Sequence, residues 1–400
     1  MRLADQIWPF LSDNLRCFAF VRSNVSAMSP PVTYHEGKFP PSTLVWEVLI
    51  PHLGSAAAAV ARYDGTLAAV PNAGLLLSPL TTQEAVLSSR IEGTQASMSE
   101  VLEFEADASA PGLADARRAD ILEVLNYRQA VRFAEDRLAT IPLSLRLIRE
   151  MHGVLLQGVR GQNSSPVEFR RTPNWIGAPG CPIEEARFVP IAADRLTGAL
   201  GHWERYIHAD APDRLVQLAI LHAEFEALHP FLDGNGRIGR ILIPLFLWQH
   251  GLIRQPMFYL SAYLESNRDE YYERLLAVSR DDDWTEWCRF FLEGVRRQAD
   301  DNQKKAAAIL GLYEELKPRV MKLMRSQFSI HALDWIFQTP IFRSTSFIAN
   351  TQIPDASARR LLAELKRNDI IRELAPGRGR RAATFVFPSL LNLTEGREIF

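Results

Sequence analysis

The sequence predicts a mainly α-helical chain that ends in a winged-helix domain, and three features carry that reading. Apolar residues recur at three- and four-residue steps over most of residues 81–317. Residues 158–190 break the pattern with Pro166, Pro173, Pro179, Pro182 and Pro190, and with Gly161, Gly177 and Gly180, which mark loops and a short hairpin. Residues 320–395 combine helical runs with two apolar β-type runs around a basic turn, the plan of a winged helix.

The elements follow in order. Residues 1–80 are rich in Pro, Gly, Ala and Ser with apolar clusters such as LVWEVLI at 44–50, and read as a partly irregular lead-in that packs on the body. From Thr81 the pattern turns helical through Ala85, Leu87 and Ile91 until Gly93 interrupts it; residues 81–110 form one region, with a polar loop at 103–115. Ile121, Leu122, Leu125, Tyr127, Val131 and Phe133 mark a long helix. Residues 142–153 form another, with Pro142 early and Gly153 at its stop. Helices are then expected at 192–208, 212–229, 236–250, 267–280 and 284–317, so that 111–300 is the central body. Further helices at 330–338, 346–350 and 357–367 precede strands at 370–374 and 384–387, joined by the turn PGRGRR at 376–381.

Composition narrows the classes. Four hundred residues exceed one ordinary core, so more than one domain is expected. The net charge of -2 implies no global pull toward nucleic acid or membrane. Cys17, Cys181 and Cys288 are scattered and form no CxxC pair, which suits a reducing cytoplasm and argues against a disulfide framework or a cysteine zinc site. The apolar patch at 7–11 is too short for a signal-peptide core, and the run ILIPLFLW at 241–248 is too short for a membrane span.

Residues 229–240 read HPFLDGNGRIGR and lie between two helical stretches, so their middle is a tight connection. Gly234 and Gly236 let the backbone approach a ligand, and the start of the next helix adds unpaired N–H donors and partial positive charge. That is an anion cradle suited to phosphate. Arg237 and Arg240, three apart, share one helix face and can clamp further phosphate oxygens. Asp233 is a hard carboxylate able to hold a magnesium ion that bridges phosphates. His229 has the intrinsic pKa to take a proton from an attacking hydroxyl. A turn alone would not require a base, a metal ligand, a glycine cradle and two arginines together.

At these positions the sequence resembles the Fic family, whose signature is HxFx(D/E)GNGRxxR. The resemblance implies a Fic-type helical bundle with a short β-hairpin flap, and transfer of AMP from Mg-ATP to a Ser, Thr or Tyr hydroxyl of a protein. It implies that His229 is the base, that Asp233 holds Mg²⁺, and that Phe231 anchors the loop. It implies that ATP, the co-substrate, is bound by Gly234, Asn235, Gly236, Arg237, Ile238, Gly239 and Arg240, with Arg240 on the γ-phosphate. The strings EFRRTPNWIG at 168–177 and ARFVP at 186–190 look like the family's flap, which lines up the target segment. The string NRDEYY at 267–272 resembles its nucleoside-side helix, with Tyr272 toward adenine or ribose and core packing as the rival use of those aromatics.

Residues 88–93, SSRIEG, resemble the family's inhibitory motif (S/T)xxxE(G/N), with Ser88 and Glu92 at its fixed positions. A carboxylate held against Arg240 would take the partner of the γ-phosphate and misalign the triphosphate. The expected enzyme is therefore an autoinhibited protein adenylyltransferase acting on a target protein or on itself; a homodimer is compatible with this. The rival is a nucleotide-sensing transcriptional regulator that uses the winged helix. Residues 354–381 carry eight Lys/Arg against four Asp/Glu, so a basic third helix and wing could track DNA phosphates, or the module could bind protein instead. A metal hydrolase built on His222, Glu226 and His229 lacks an HExxH pair, and a phosphate-loop kinase lacks its Lys-Ser/Thr.

Overall fold

The computed structural model describes residues 30–108, 113–159, 166–178, 180–377, 379 and 381–400. The apolar patch at 7–11, Cys17, Gly161, Pro179, Arg378 and Arg380 lie outside the described residues. No helix among the described residues is long and apolar enough to cross a membrane.

The chain enters through a short strand β1 (Val32–Thr33) and then a helix of 24 residues, α1 (Trp46–Ala69). The reading of residues 1–80 as a partly irregular lead-in names no such helix. Pro51, Gly54 and Gly65 suggest breaks, but Pro51 lies close to the helix start, and Ala56, Ala59, Val60, Tyr63 and Leu67 form one buried face. Tertiary packing overrides the weak propensity here.

A single turn, α2 (Ala73–Leu76), leads into α3 (Ser78–Ile91), which ends at Glu92. Next, α4 (Met98–Ala106) starts at a capping box in which Ser97 and Glu100 satisfy each other's backbone N–H groups. The loop expected at 103–115 thus begins later, because α4 runs through Ala106. The body continues with α5 (Asp115–Leu138) and α6 (Leu145–Leu155).

The expected hairpin is reduced. An antiparallel bridge joins Ile176 to Phe188, and β2 (Phe188–Val189) pairs in parallel with β1. A short helical turn at Ile183–Glu185 fills the tip, and the Trp175 indole donates to the Cys181 carbonyl at 2.9 Å.

Helix α7 (Ala193–Ile207) covers α8 (Arg214–Leu228), which is buried along nearly its whole surface and runs into α9 (Asn235–Gln249). Asp213 caps α8 by accepting from Leu215 and Val216 N–H at 2.7 and 3.0 Å. The Trp203 and Trp287 indoles donate to α8 carbonyls at 2.9 and 2.7 Å, so two large buried aromatics fix this helix. Tyr34 and His35, just after β1, hold the buried Glu224 carboxylate at 2.6 and 2.8 Å and tie the entry strand to the same helix.

Then come α10 (Ser261–Ser266), α11 (Arg268–Asp281) and the 41-residue α12 (Trp284–Met324). Trp287, Phe291, Val295, Ala299, Asn302, Ala306, Ile309 and Tyr313 repeat at helical spacing on the buried stripe of α12, against which α1 lies. Each fully buried aromatic there contributes about 1.5–3 kcal/mol.

The C-terminal module holds α13 (Ser329–Gln338), β3 (Ile341–Arg343), α14 (Ser344–Asn350), α15 (Asp355–Arg367), β4 (Arg372–Ala375), β5 (Thr384–Val386) and α16 (Pro388–Glu395). Its strands form one antiparallel sheet in the order β3-β5-β4. The module packs back on the body: α13 and α16 meet α3, and β3 meets α4.

Candidate active site

The α8–α9 connection brings the motif together. His229 ends α8 in the left-handed region at φ 46°, and Gly234 precedes α9 at φ 80°. Asn235 closes the loop on itself: its Oδ1 accepts the Phe231 N–H at 2.8 Å, and its Nδ2 donates to the Phe231 carbonyl at 2.9 Å. Phe231 is fully buried and stacks on the His152 ring at 3.8 Å.

His152 receives the Val167 N–H on Nδ1 at 3.3 Å, so its proton sits on Nε2, which donates to the Asp233 carbonyl at 3.0 Å. Burial lowers its pKa to about 4 and keeps the ring neutral in this role.

The anion cradle lies at the start of α9. A Cβ added to Gly236 would stand 2.2 Å from Glu92 Oε1 and 2.8 Å from Arg240 Nη1, so the Glu92 carboxylate rests on the backbone where the bare glycine leaves room. Arg240, buried at 2% exposure, donates to Glu92 Oε1 at 2.6 Å, to the Ser88 hydroxyl at 2.8 Å and to the Ser88 carbonyl at 3.0 Å. Burial disfavours the Glu92 charge, and Arg240 more than offsets this, so the carboxyl titrates below its usual range. Burial likewise disfavours the Arg240 cation, and Glu92 reverses the sign.

Arg237 reaches Glu123 and Asp233, each at 3.4 Å, while its buried Nε finds no partner among the described residues. A buried orphan donor beside a helix N-terminus fits an anionic ligand. Asp233 is held by the Gly234 N–H at 2.6 Å, and its side chain remains 41% exposed. One partly exposed carboxylate facing a phosphate cradle fits Mg²⁺, which takes one or two protein carboxylates plus phosphate oxygens. Among the described residues no group of three His, Cys, Asp or Glu gathers as a metal cage.

His229 is partly buried, and burial pushes its pKa down to about 4. Its Nδ1 faces the Glu226 carbonyl at 3.4 Å, which leaves the Nε2 lone pair to accept a proton.

Not every expected residue faces this space. Ile238 is fully buried in the core, and Gly239 packs under Glu226, whose Oε1 would lie 2.4 Å from an added Cβ. Tyr271 is core, bonded to His222 at 2.9 Å, whereas Tyr272 is partly buried near Glu92 and Arg240. His222 stacks on Trp287 in the interior and joins no metal set.

Four supporting residues went unread in sequence: His152, Arg170, Asn174 and Glu123. Their partners in residues 229–237 lie 55 to 114 residues away, and no local spacing announces them.

Residues 142–247 match the Fic/DOC family model, and residues 50–136 match the model of the Fic/DOC family N-terminal region. The chain therefore carries a Fic/DOC N-terminal region and a Fic/DOC domain over these two segments. It is similar to a probable protein adenylyltransferase of Aquifex aeolicus, 32% identical over 80 residues, 20% of this chain and 24% of that protein. It is also similar to a protein adenylyltransferase of Caenorhabditis briggsae, 29% identical over 138 residues, 32% of this chain and 24% of that protein. The matches therefore span about a quarter of the length of these curated relatives. A crystal structure of a Fic family protein from Desulfovibrio desulfuricans shares the fold, with a TM-score of 0.53 and 18% identity over 87% of this chain and 98% of that one.

Proposed function

We propose that this chain is a protein adenylyltransferase that moves AMP from Mg-ATP to a Ser, Thr or Tyr hydroxyl of a target protein or of itself. The observation that carries this reading is the carboxylate already seated in the cradle: Glu92 lies over Gly236 and 2.6 Å from Arg240, where an anion is stabilised by helix and guanidinium together. In the reaction His229 Nε2 takes the hydroxyl proton as its oxygen attacks the α-phosphorus. The bond from that phosphorus to the bridging oxygen breaks, and pyrophosphate leaves. Gly236, Arg237 and Arg240 hold the phosphates in line, and Tyr272 borders the nucleoside side. Asp233 would hold Mg²⁺, which would supply charge neutralisation on the phosphates.

Glu92 sets the resting rate. While it occupies Arg240, a γ-phosphate lacks its partner and the α-phosphorus is presented out of line. The C-terminal module is read as a winged helix from its order of helices and strands. One arginine of its basic turn, Arg381, is spent within the chain on Asp107, which Arg343 of β3 also meets, and this weakens the regulator reading. The scattered thiols support a cytoplasmic protein.

The test is incubation of the purified chain and its Glu92→Gly variant with Mg²⁺ and each labelled nucleoside triphosphate, followed by mass spectrometry. AMP on a hydroxyl side chain is the expected product. No modification by either protein with any nucleotide would overturn the proposal.

A further inference from the structure

We propose that Arg170, assisted by Asn174, is the positioning residue for the His229 base; the inference rests on the transferase reading above. The last turn of a helix leaves carbonyls without intrahelical partners. At the end of α8 four consecutive carbonyls, those of residues 228–231, all accept hydrogen bonds from the segment that leads to the Ile176 bridge. Arg170 donates from its side chain to Leu228 at 3.3 Å and to His229 at 2.9 Å, and from its backbone N–H to Pro230 at 2.8 Å. Asn174 Nδ2 donates to His229 at 3.5 Å and to Phe231 at 3.2 Å. The remaining Arg170 donors go to the Thr172 and Ile191 carbonyls.

Arg170 is only 4% exposed, and no carboxylate pairs with it among the described residues. A buried cation without an acid partner is costly unless its environment compensates. Here the compensation is the negative end of α8, so the charge sits where the helix dipole favours it and where His229 leaves the helix. The left-handed φ of 46° at His229 is unfavourable for a non-glycine residue, and these bonds hold it. The same segment runs on through Trp175 to the Ile176 bridge, so it and the base move as one unit. Arg170 touches no reacting atom and acts through the backbone that aims the imidazole.

The test uses the full chain in the Glu92→Gly background, comparing Arg170→Gln, Arg170→Lys and Asn174→Ala for kcat, KM for ATP, pH profile and calorimetric ATP binding. Arg170→Gln is expected to lower kcat by about ten- to a hundredfold, the scale of a small misplacement of a reacting group. KM for ATP should stay within about twofold, because the α9 cradle keeps its own contacts. Arg170→Lys should recover part of kcat. The Arg170 charge also lowers the His229 pKa, so the acid limb of the Arg170→Gln profile should move to higher pH. If Arg170→Gln misfolds, Asn174→Ala, which keeps the charge, gives the same kcat-specific loss on a smaller scale. Unchanged kcat, or a loss confined to KM, overturns the inference while leaving the transferase reading intact. A Glu92→Gly parent that transfers no AMP overturns both.

A separate set of contacts carries a second inference: the C-terminal module holds the segment that bears Glu92. On α3, Gln83 donates to the Thr394 carbonyl of α16 at 2.8 Å and accepts from Lys305 at 2.6 Å. After α4, the Asp107 carboxylate, 7% exposed, accepts from Arg343 and from Arg381. Ser88 and Glu92 lie between these two ties, and we infer that loosening the module releases Glu92 from Arg240. The double variant Arg343→Ala/Arg381→Ala should raise transfer roughly two- to fivefold, the range of a modest ion pair. It should raise hydrogen exchange at residues 88–92 and add nothing in the Glu92→Gly background. No change in wild type, or the same rise in both backgrounds, overturns it.

Discussion

Replacing His229 by alanine is expected to lower AMP transfer by about 10²- to 10⁴-fold, the usual contribution of a positioned general base. The expectation rests on geometry before pKa. His229 leaves α8 in a left-handed turn, its Nδ1 faces the Glu226 carbonyl, and its Nε2 is left to accept a proton. Burial lowers the imidazole pKa to about 4, so the neutral, proton-accepting form dominates above that value. The sign follows directly: the rate is insensitive to His229 from pH 5 to 8 and falls as pH drops through about 4. An assay in the Glu92→Gly background gives a measurable starting rate. Residual transfer within about threefold of that parent would show that another group takes the proton.

The second large effect runs the other way. Glu92→Gly is expected to raise transfer by about ten- to a hundredfold, because a hydrogen bond to a charged group is worth about 1.5–3 kcal/mol. The contact is short at 2.6 Å, and its Arg240 side is almost fully buried, so solvent screens it less than a surface pair. Because Arg240 holds the Glu92 carboxyl below its ordinary range, the brake stays charged at neutral pH and weakens only as pH falls through that lowered value. Ser88 keeps its two bonds to the guanidinium in that variant, so Arg240 stays in place for the phosphate. Initial rates with labelled ATP check this.

Much of the site was legible because its parts are contiguous. Gly234, Gly236, Arg237 and Arg240 read as a cradle at a helix start, and α9 begins at Asn235 with Gly234 as its cap. Ser88 and Glu92 were legible only through a family pattern, since the 148-residue separation to Arg240 carries no local signal. The supports were not legible. Arg170 sits in the string that reads as a flap, and only the fold places it on the carbonyls of residues 228–230. Ile238 was expected near nucleotide, but its position in the first turn of α9 turns it into the core. Helix α1 was missed because proline and glycine outweighed an alanine-rich face that makes sense only against α12.

The competition for Arg240 is tested most directly by a double-mutant cycle on transfer rate, using Glu92→Gly, Arg240→Ala and the double variant. Glu92→Gly is expected to raise the rate at least tenfold with Arg240 present, and not at all once Arg240 is alanine. An equal rise in both backgrounds would show that Glu92 slows the enzyme by some route other than Arg240, and would contradict it.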